Sequence, residues 1–356
     1  MIDYSVDRYF IVDSELRMLD IATLEKYDSQ KMYKIYDKWP DIARESFETI
    51  QESIYFENID HIVFVGMGGS GAIGDLFSSI LSKSDVHISL IKGYLLPKTV
   101  DKNTLVIVTS VSGNTDESLT VLNSAKKIDC NLIAFSSGGK MKQFCKDNQI
   151  IFREIPILHS PRTSLINFTY TILKILNSIL PIEKKEIVES FEQLEIIKKQ
   201  IGSHNLSNSN PAINLAKWIT GIPNIYYPHG LESAAIRFKS SLQENSKTHV
   251  ILEDVIEACH NGIVAWEKSS EIQPILLQGQ DDYIKTKERF SIIKDFFTKN
   301  NIDFKEINSV SGNILTKTIC LIYMLDYTSI YKAVLSRVDP SPVSSIDYIK
   351  SRLNDA

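Results

Sequence analysis

His61-Ile62-Val63-Phe64-Val65-Gly66-Met67-Gly68-Gly69-Ser70-Gly71 is the stretch that decides how this chain folds. Ile62 to Val65 form an unbroken apolar run. A run of that kind, without polar alternation, reads as a strand buried on both faces. Glycines follow at once, and the pattern then turns helical over 72–81. A buried strand that ends in glycines and opens a helix is the first unit of a parallel α/β sheet.

Outward from this unit the pattern repeats. Strand-like runs lie at 86–91, 104–109, 131–135 and 150–155, with helical stretches at 116–127 and 140–146. Upstream, the first sixty residues are polar and helix-patterned, as at 34–50, and are expected to dress the sheet. Downstream, 163–179 and 187–201 read as helices broken at Pro181, and the polar, turn-rich 203–211 reads as the inter-domain connection. A second alternation follows, with strands at 224–227, 248–252, 273–277 and 304–307 and helices at 233–242, 283–298 and 314–334. Beyond Pro340 and Pro342, 343–353 reads as a last amphipathic helix. The expected fold is α/β, with two doubly wound domains, each a mainly parallel sheet flanked by helices. The boundaries expected are 1–180, a helical linker at 181–207, and 208–356. Similar halves suggest a duplication.

The whole chain agrees with this. Its 356 residues exceed what one ordinary core needs, and 43% hydrophobic with 23% charged residues is the composition of a soluble globular protein. A net charge of −5 without a clustered basic surface excludes nucleic acid and anionic membrane as expected partners, but leaves room for a small anion at a locally positive site. Cys130, Cys145, Cys259 and Cys320 form no CxxC pair, which suits a reducing cytoplasm. The opening MIDYSVDRYF lacks the basic region and apolar core of a signal peptide. No apolar run reads as long enough to span a membrane.

Two loops carry the anion argument. Gly66, Gly68 and Gly71 match the dinucleotide spacing GxGxxG, but no acidic residue closes a following strand to hold a ribose, and the GxxxxGK[ST] of a nucleotide P-loop is absent. Glycines there let backbone approach a ligand, and the helix start attracts negative charge. Thr109-Ser110-Val111-Ser112-Gly113-Asn114-Thr115 again lies between a buried strand and a helix. Its hydroxyls Ser110, Ser112 and Thr115 can hold a phosphate monoester without a lysine. The bland alternative is a helix cap with incidental serines. Two such loops in one sheet favour an anion site.

GMGGSG with TSVSGNT resembles the sugar isomerase (SIS) domain, whose phosphate loop typically reads S-x-S-G-x-T. The resemblance implies that Ser70, Ser110, Ser112 and Thr115 bind a sugar phosphate and that Gly68 and Gly69 bring backbone close to the sugar. Such domains occur in enzymes and in sugar-phosphate sensors.

Chemistry needs more. Moving a carbonyl between neighbouring sugar carbons takes one base on one face, and opening a ring takes an acid–base group near the ring oxygen. Glu244 ends an amphipathic helix and precedes a strand, a position read here as one where α/β sites gather. His260 follows sixteen residues on. Each alone would read as a solvated helix-end carboxylate and a capping histidine. Together with their surroundings they resemble the bifunctional phosphoglucose/phosphomannose isomerase family, whose pattern is approximately A-x-R-W-K-x-Q-x-N-E-N-A-K followed by N-H-N-E-x-x-G-W-E. Ala235, Arg237, Lys239, Glu244, Asn245, Lys247, His260, Asn261, Trp266 and Glu267 match; Phe238, Gln243, Ser246, Cys259 and Gly262 depart.

That resemblance implies two SIS-type domains. It also implies Glu244 as isomerisation base, His260 as the ring-opening residue donated by the neighbouring subunit, and hence a homodimer. Pro161-Arg162 lies just after the run at 150–158, where an arginine can offset the charge of an enediolate. Asp339-Pro340-Ser341-Pro342-Val343 resembles the family's D-P-T-P-V, with Ser341 at the position that helps accept both C2 epimers, and Lys350 resembles a lysine that assists near the ring oxygen. No His/Cys/carboxylate cluster has metal-ligand spacing, and enediol chemistry needs neither metal nor cofactor. The expected reaction is glucose 6-phosphate or mannose 6-phosphate to fructose 6-phosphate. An aminosugar-phosphate isomerase or deaminase and a non-catalytic sensor stay open, although no helix-turn-helix with a basic recognition helix is present.

Overall fold

In the computed structural model the described residues are 19–354. The start of the helix-patterned N-terminal stretch, 1–18, lies outside them. Three helices, α1 (Ile21–Tyr27), α2 (Tyr33–Tyr36) and α3 (Trp39–Glu48), lead into the first sheet. That sheet comprises β1 (His61–Val65), α4 (Gly68–Leu81), β2 (His87–Ile91), β3 (Thr104–Ser110), α5 (Asp116–Ala125), β4 (Asn131–Ser136), α6 (Gly139–Asp147) and β5 (Ile151–Glu154). Its strand order is β2-β1-β3-β4-β5, and every neighbouring pair is parallel. β1 and β3 are buried along their whole length, as the unbroken apolar runs require.

α7 (Leu165–Ile175), α8 (Lys184–Ile201) and α9 (Pro211–Trp218) connect to the second sheet. There β6 (Ile222–Tyr227), α10 (Glu232–Ser241), β7 (Ile251–Asp254), α11 (Val255–Ala258), β8 (Ile272–Gln278), α12 (Ile284–Lys299) and β9 (Lys305–Asn308) follow. The order β7-β6-β8-β9 repeats the first four strands of the first sheet, again all parallel. Each sheet therefore reverses winding direction once, between β1 and β3 and between β6 and β8, and ligands favour such switch points at the carboxyl ends of strands. α13 (Ile314–Leu335) and α14 (Ser344–Asn354) end the chain.

Two sequence expectations change, and a third gains detail. The 203–211 stretch lies between α8 and α9 and ends by capping a helix: the Asn210 side chain accepts from Ala212 N and Ile213 N and starts α9, with Pro211 at its first position. α4 begins at Gly68, four residues before the apolar pattern does, so the glycines form its first turn. And α13 is long and apolar enough by composition to cross a membrane, where no such span was expected; 83% of that window is buried inside the fold. It carries a fully buried Asp326 and packs against α8, α9 and α10. It is a core helix. The largest apolar core runs continuously from Leu19 to Val334 and joins both sheets through α3, α7, α8 and α13.

Candidate active site

The site forms where α4 and α10 meet. They run antiparallel: Ser79, near the end of α4, donates to Ser233, near the start of α10, at 2.9 Å. The start of α4, with its glycine loop, therefore faces the end of α10. Gly68 takes φ +52, and space around its missing Cβ is open. Gly69 is packed differently: a Cβ there would lie 2.9 Å from the Pro161 carbonyl oxygen and 3.3 Å from the Arg162 nitrogen. Only a glycine lets the loop lie against that turn.

The two anion loops are stitched together. Val111 N donates to Ser70 Oγ at 2.9 Å, bridging the ends of β1 and β3 at the switch point. Ser110 Oγ lies 2.9 Å from Thr115 Oγ1 and accepts from Gly113 N at 3.1 Å. Ser70 and Ser110 are buried, while Ser112 is exposed. Neither α4 nor α5 receives a side-chain cap at its N-cap residue; in α4, Ser70 N is already taken by Met67 O at 3.0 Å, and the Gly68 and Gly69 N–H groups lie ahead of it. The loop after β4 supports this arrangement and was not singled out in the sequence. Gly138 O would sit 1.9 Å from a Cβ on Gly113, which itself takes φ +70. Ser137-Gly138-Gly139 directly after a buried strand was the missed signal.

Glu244 lies on a π-helical turn, Leu242–Ser246, that continues α10 and ends at Lys247 in the left-handed region, φ 57. π turns are rare and frequently mark functional sites. This corrects the positional argument from sequence: Glu244 precedes β7, on the amino side of the second sheet, and is brought to the first sheet's carboxyl edge by the antiparallel helix pair. Arg162 comes from a turn held by its own hydroxyls: Ser160 N donates to Thr163 Oγ1 at 3.0 Å, and Ser164 Oγ donates to Ser160 O at 2.9 Å. Arg162 Nη1 donates to Glu244 Oε2 at 2.9 Å. Its side chain is 5% exposed and that of Glu244 28%, so the pair is shielded yet reachable.

The C-terminal segment closes over this pair. Arg162 Nη2 donates to Ser341 O at 2.6 Å, and Lys247 Nζ donates to Pro342 O at 2.7 Å and Glu244 O at 2.5 Å. Burial, and then the nearby Arg162 cation, lowers the Lys247 ammonium below its ordinary value. Asp339 caps the turn, accepting from Ser341 N at 2.9 Å. The Ser341 hydroxyl is buried and has no partner among the described residues.

The structure thus gathers Gly68, Gly69, Ser70, Ser110, Thr115, Arg162, Glu244 and Ser341, with Ser112 on the rim. His260 and Lys350 make no side-chain bond to these groups among the described residues. His260 is exposed in the turn after α11, its backbone N bonded to Glu257 O, and it makes no side-chain bond to Glu244. Lys350 is exposed on α14, with no ion pair among the described residues.

Comparison with known proteins follows the same lines. Residues 208–353 match the model of the bacterial phospho-glucose isomerase C-terminal SIS domain. The sequence is 30% identical over 336 residues, 90% of this chain and 98% of the relative, to a bifunctional phosphoglucose/phosphomannose isomerase of Caldicellulosiruptor bescii. Among solved structures, a hypothetical protein from Thermus thermophilus superposes with a TM-score of 0.71 at 13% identity, covering 94% of this chain and 92% of that one. The C-terminal domain of glucosamine-fructose-6-phosphate aminotransferase from Francisella tularensis does so at 0.65 and 16%, covering 86% and 96%. Two parallel sheets of matching order with phosphate-type loops at a switch point define a protein of the SIS class. Within that class, the chain belongs to the bifunctional phosphoglucose/phosphomannose isomerase family.

Proposed function

We propose that the protein interconverts glucose 6-phosphate and mannose 6-phosphate with fructose 6-phosphate. The observation that carries this reading is the Arg162–Glu244 pair, 2.9 Å apart, beside the loop pair built on Ser70 and Ser110. The phosphate would rest on Ser70, Ser110, Ser112 and Thr115 and on the uncapped first turns of α4 and α5, with Gly68 and Gly69 beside the sugar. The sugar would then extend toward Glu244.

His260, supplied by a second copy of the chain, opens the ring. Glu244 takes the proton from C2 of the aldose as O1 gains one. The resulting cis-enediol(ate) loses its O2 proton, and Glu244 returns its own proton to C1, giving the ketose. Arg162 offsets the negative charge on the enediolate oxygens, its guanidinium prearranged at the carboxylate. Ser341 has an unused buried hydroxyl next to this pair, which supports a role at C2 for both epimers. Lys350 is assigned near the ring oxygen on resemblance alone. Domains at 1–180 and 208–356 with a helical linker at 181–207, a homodimer, and a cytoplasmic setting belong to the same reading; four free cysteines favour the last.

The test is direct. EDTA-treated protein is incubated with fructose 6-phosphate, and glucose 6-phosphate and mannose 6-phosphate are quantified separately. Both products are expected, and Glu244→Gln should lose turnover by roughly a hundredfold or more while still binding the sugar phosphate. One product alone would remove the dual specificity. Binding without either product would favour a sensor, or an aminosugar enzyme if ammonia is released from glucosamine 6-phosphate.

A further inference from the structure

Glu244 is oriented from a second direction, through side chains that lie behind the site. Asp326, in the middle of α13, is fully buried. Its oxygens accept from Arg237 Nε at 3.1 Å each, from Arg237 Nη2 at 2.7 Å, from Tyr36 Oη at 3.0 Å and from Ser241 Oγ at 2.5 Å. Arg237 is 2% exposed, and its Nη2 also donates to the backbone carbonyl of Arg162 at 2.6 Å. Burial is the largest single influence and opposes the Arg237 charge, but Asp326, Tyr36 and Glu244 together outweigh it and raise the guanidinium's hold on its proton. A buried pair of this kind gains little net stability over well-packed apolar side chains, because desolvation consumes most of the attraction. What the pair does fix is direction, since the planar guanidinium bonds carboxylate and carbonyl in set orientations.

The sequence spacing extends the device. Arg237, Ser241 and Asn245 recur every four residues, which places them on one face of α10 and its π-helical continuation. All three are tied to α13, the last through Asn245 Nδ2 donating to Ser329 Oγ at 2.8 Å. The base lies one residue before the last of these rungs. The first rung reaches forward to Arg162, whose guanidinium bonds the base. A closed circuit results: α13 holds Arg237, Arg237 holds the Arg162 backbone, Arg162 holds Glu244, and Glu244 sits on the helix that carries Arg237.

We propose that Arg237, held by Asp326, is a positioning residue for the isomerisation, fixing the Arg162 turn through the Arg162 carbonyl. This rests on the reading of Glu244 and Arg162 as the groups that meet the substrate. Arg237 itself touches no reacting atom and acts through Arg162. Lysine at 237 would keep the charge beside Asp326 but lacks the fork that bonds Asp326 and the Arg162 carbonyl together.

A double-mutant cycle tests this with Arg237→Lys, Arg162→Lys and their combination, measuring kcat and KM for fructose 6-phosphate with thermal unfolding in parallel. Arg237→Lys should lower kcat about tenfold or more with KM little changed. Added to Arg162→Lys it should cost almost nothing further, because its route to the base has already gone. Losses that multiply independently would overturn the proposal and leave Arg237 a support of the fold, as would wild-type kcat in Arg237→Lys. Should Arg237→Lys not fold, Tyr36→Phe, which deletes one bond to Asp326 and keeps the ring, enters the same cycle with an expected loss of about threefold. Glu244→Gln in the same assay separates the two claims. Retained turnover there defeats the underlying reading, whereas lost turnover with independent arginine effects defeats this proposal alone.

Discussion

Gly69 is the residue at which the glycine loop and the Arg162 turn touch. It has no side chain to lose, so its importance is entirely the space it leaves: the Pro161 carbonyl and Arg162 nitrogen fill the volume a Cβ would need. Gly69→Ala must push the Arg162 turn outward or tilt the first turn of α4. Overpacking of this kind costs about 1–3 kcal/mol of stability, and a displacement of roughly 1 Å at Arg162 costs on the order of a hundredfold in rate. The expected result is a modest fall in the unfolding midpoint and a large fall in kcat/KM. Gly68→Ala, where φ is positive and the Cβ would enter the open space assigned to the sugar, should instead cost about 1 kcal/mol of stability and raise KM, with kcat little changed. Equal kcat losses at the two positions would contradict the idea that Gly69 is needed for its contact with Arg162.

β1 connects two ends of different chemistry. Its carboxyl end releases the glycine loop; its amino end is His61, buried, with Nε2 2.9 Å from Ser89 Oγ and its ring 4.8 Å from that of His87. Burial, and then His87, holds the His61 imidazole below its ordinary value, with Asp60 and Asp101 opposing. The folded chain thus takes up this proton less readily than the unfolded chain. Its contribution to stability is present above the unfolded value near 6.5 and is lost as pH falls through the folded value. His61→Gln should therefore flatten the loss of stability seen in denaturant titrations between about pH 7 and about pH 5; an unchanged slope would show that other groups govern it. The same strand shows what could be read without coordinates. The nine strands among the described residues were legible for two reasons: β1 and β3 carry unbroken buried apolar runs, whereas the partly exposed edge strands β2, β5, β7 and β9 were read from their alternation with helices. The serine- and glycine-rich loops were legible as strand-to-helix turns, since each follows a strand and opens a helix. The π turn under Glu244 was not, as nothing local distinguishes it from an α-helical end. Nor was the Arg237–Asp326 pair, whose partners lie 89 residues apart on helices that only the packing brings together.

For the chain as a whole, the proposed role of His260 makes the homodimer a chemical question. Glu244, Arg162 and the phosphate loops converge within one chain, whereas His260 is exposed in a turn of the second half with no side-chain bond to any of them. α14 is exposed along its described length and presents Ile346, Ile349 and Leu353 to solvent. If His260 opens the ring beside Glu244, as proposed, a second copy supplies it. In a twofold dimer, each site would combine Glu244 of one protomer with His260 of its partner. Glu244→Gln and His260→Ala homodimers should both be nearly inactive. When the two chains are coexpressed, half of the dimers are mixed, and each mixed dimer has one doubly altered site and one intact site. Activity should recover to about a quarter of wild type, the statistical limit for donation across a twofold interface. If His260 instead served the site of its own chain, every site in a mixed dimer would carry one defect, and no recovery would occur. Sedimentation of the same samples distinguishes that outcome from failure to associate, because only paired chains can report on which protomer donates the histidine.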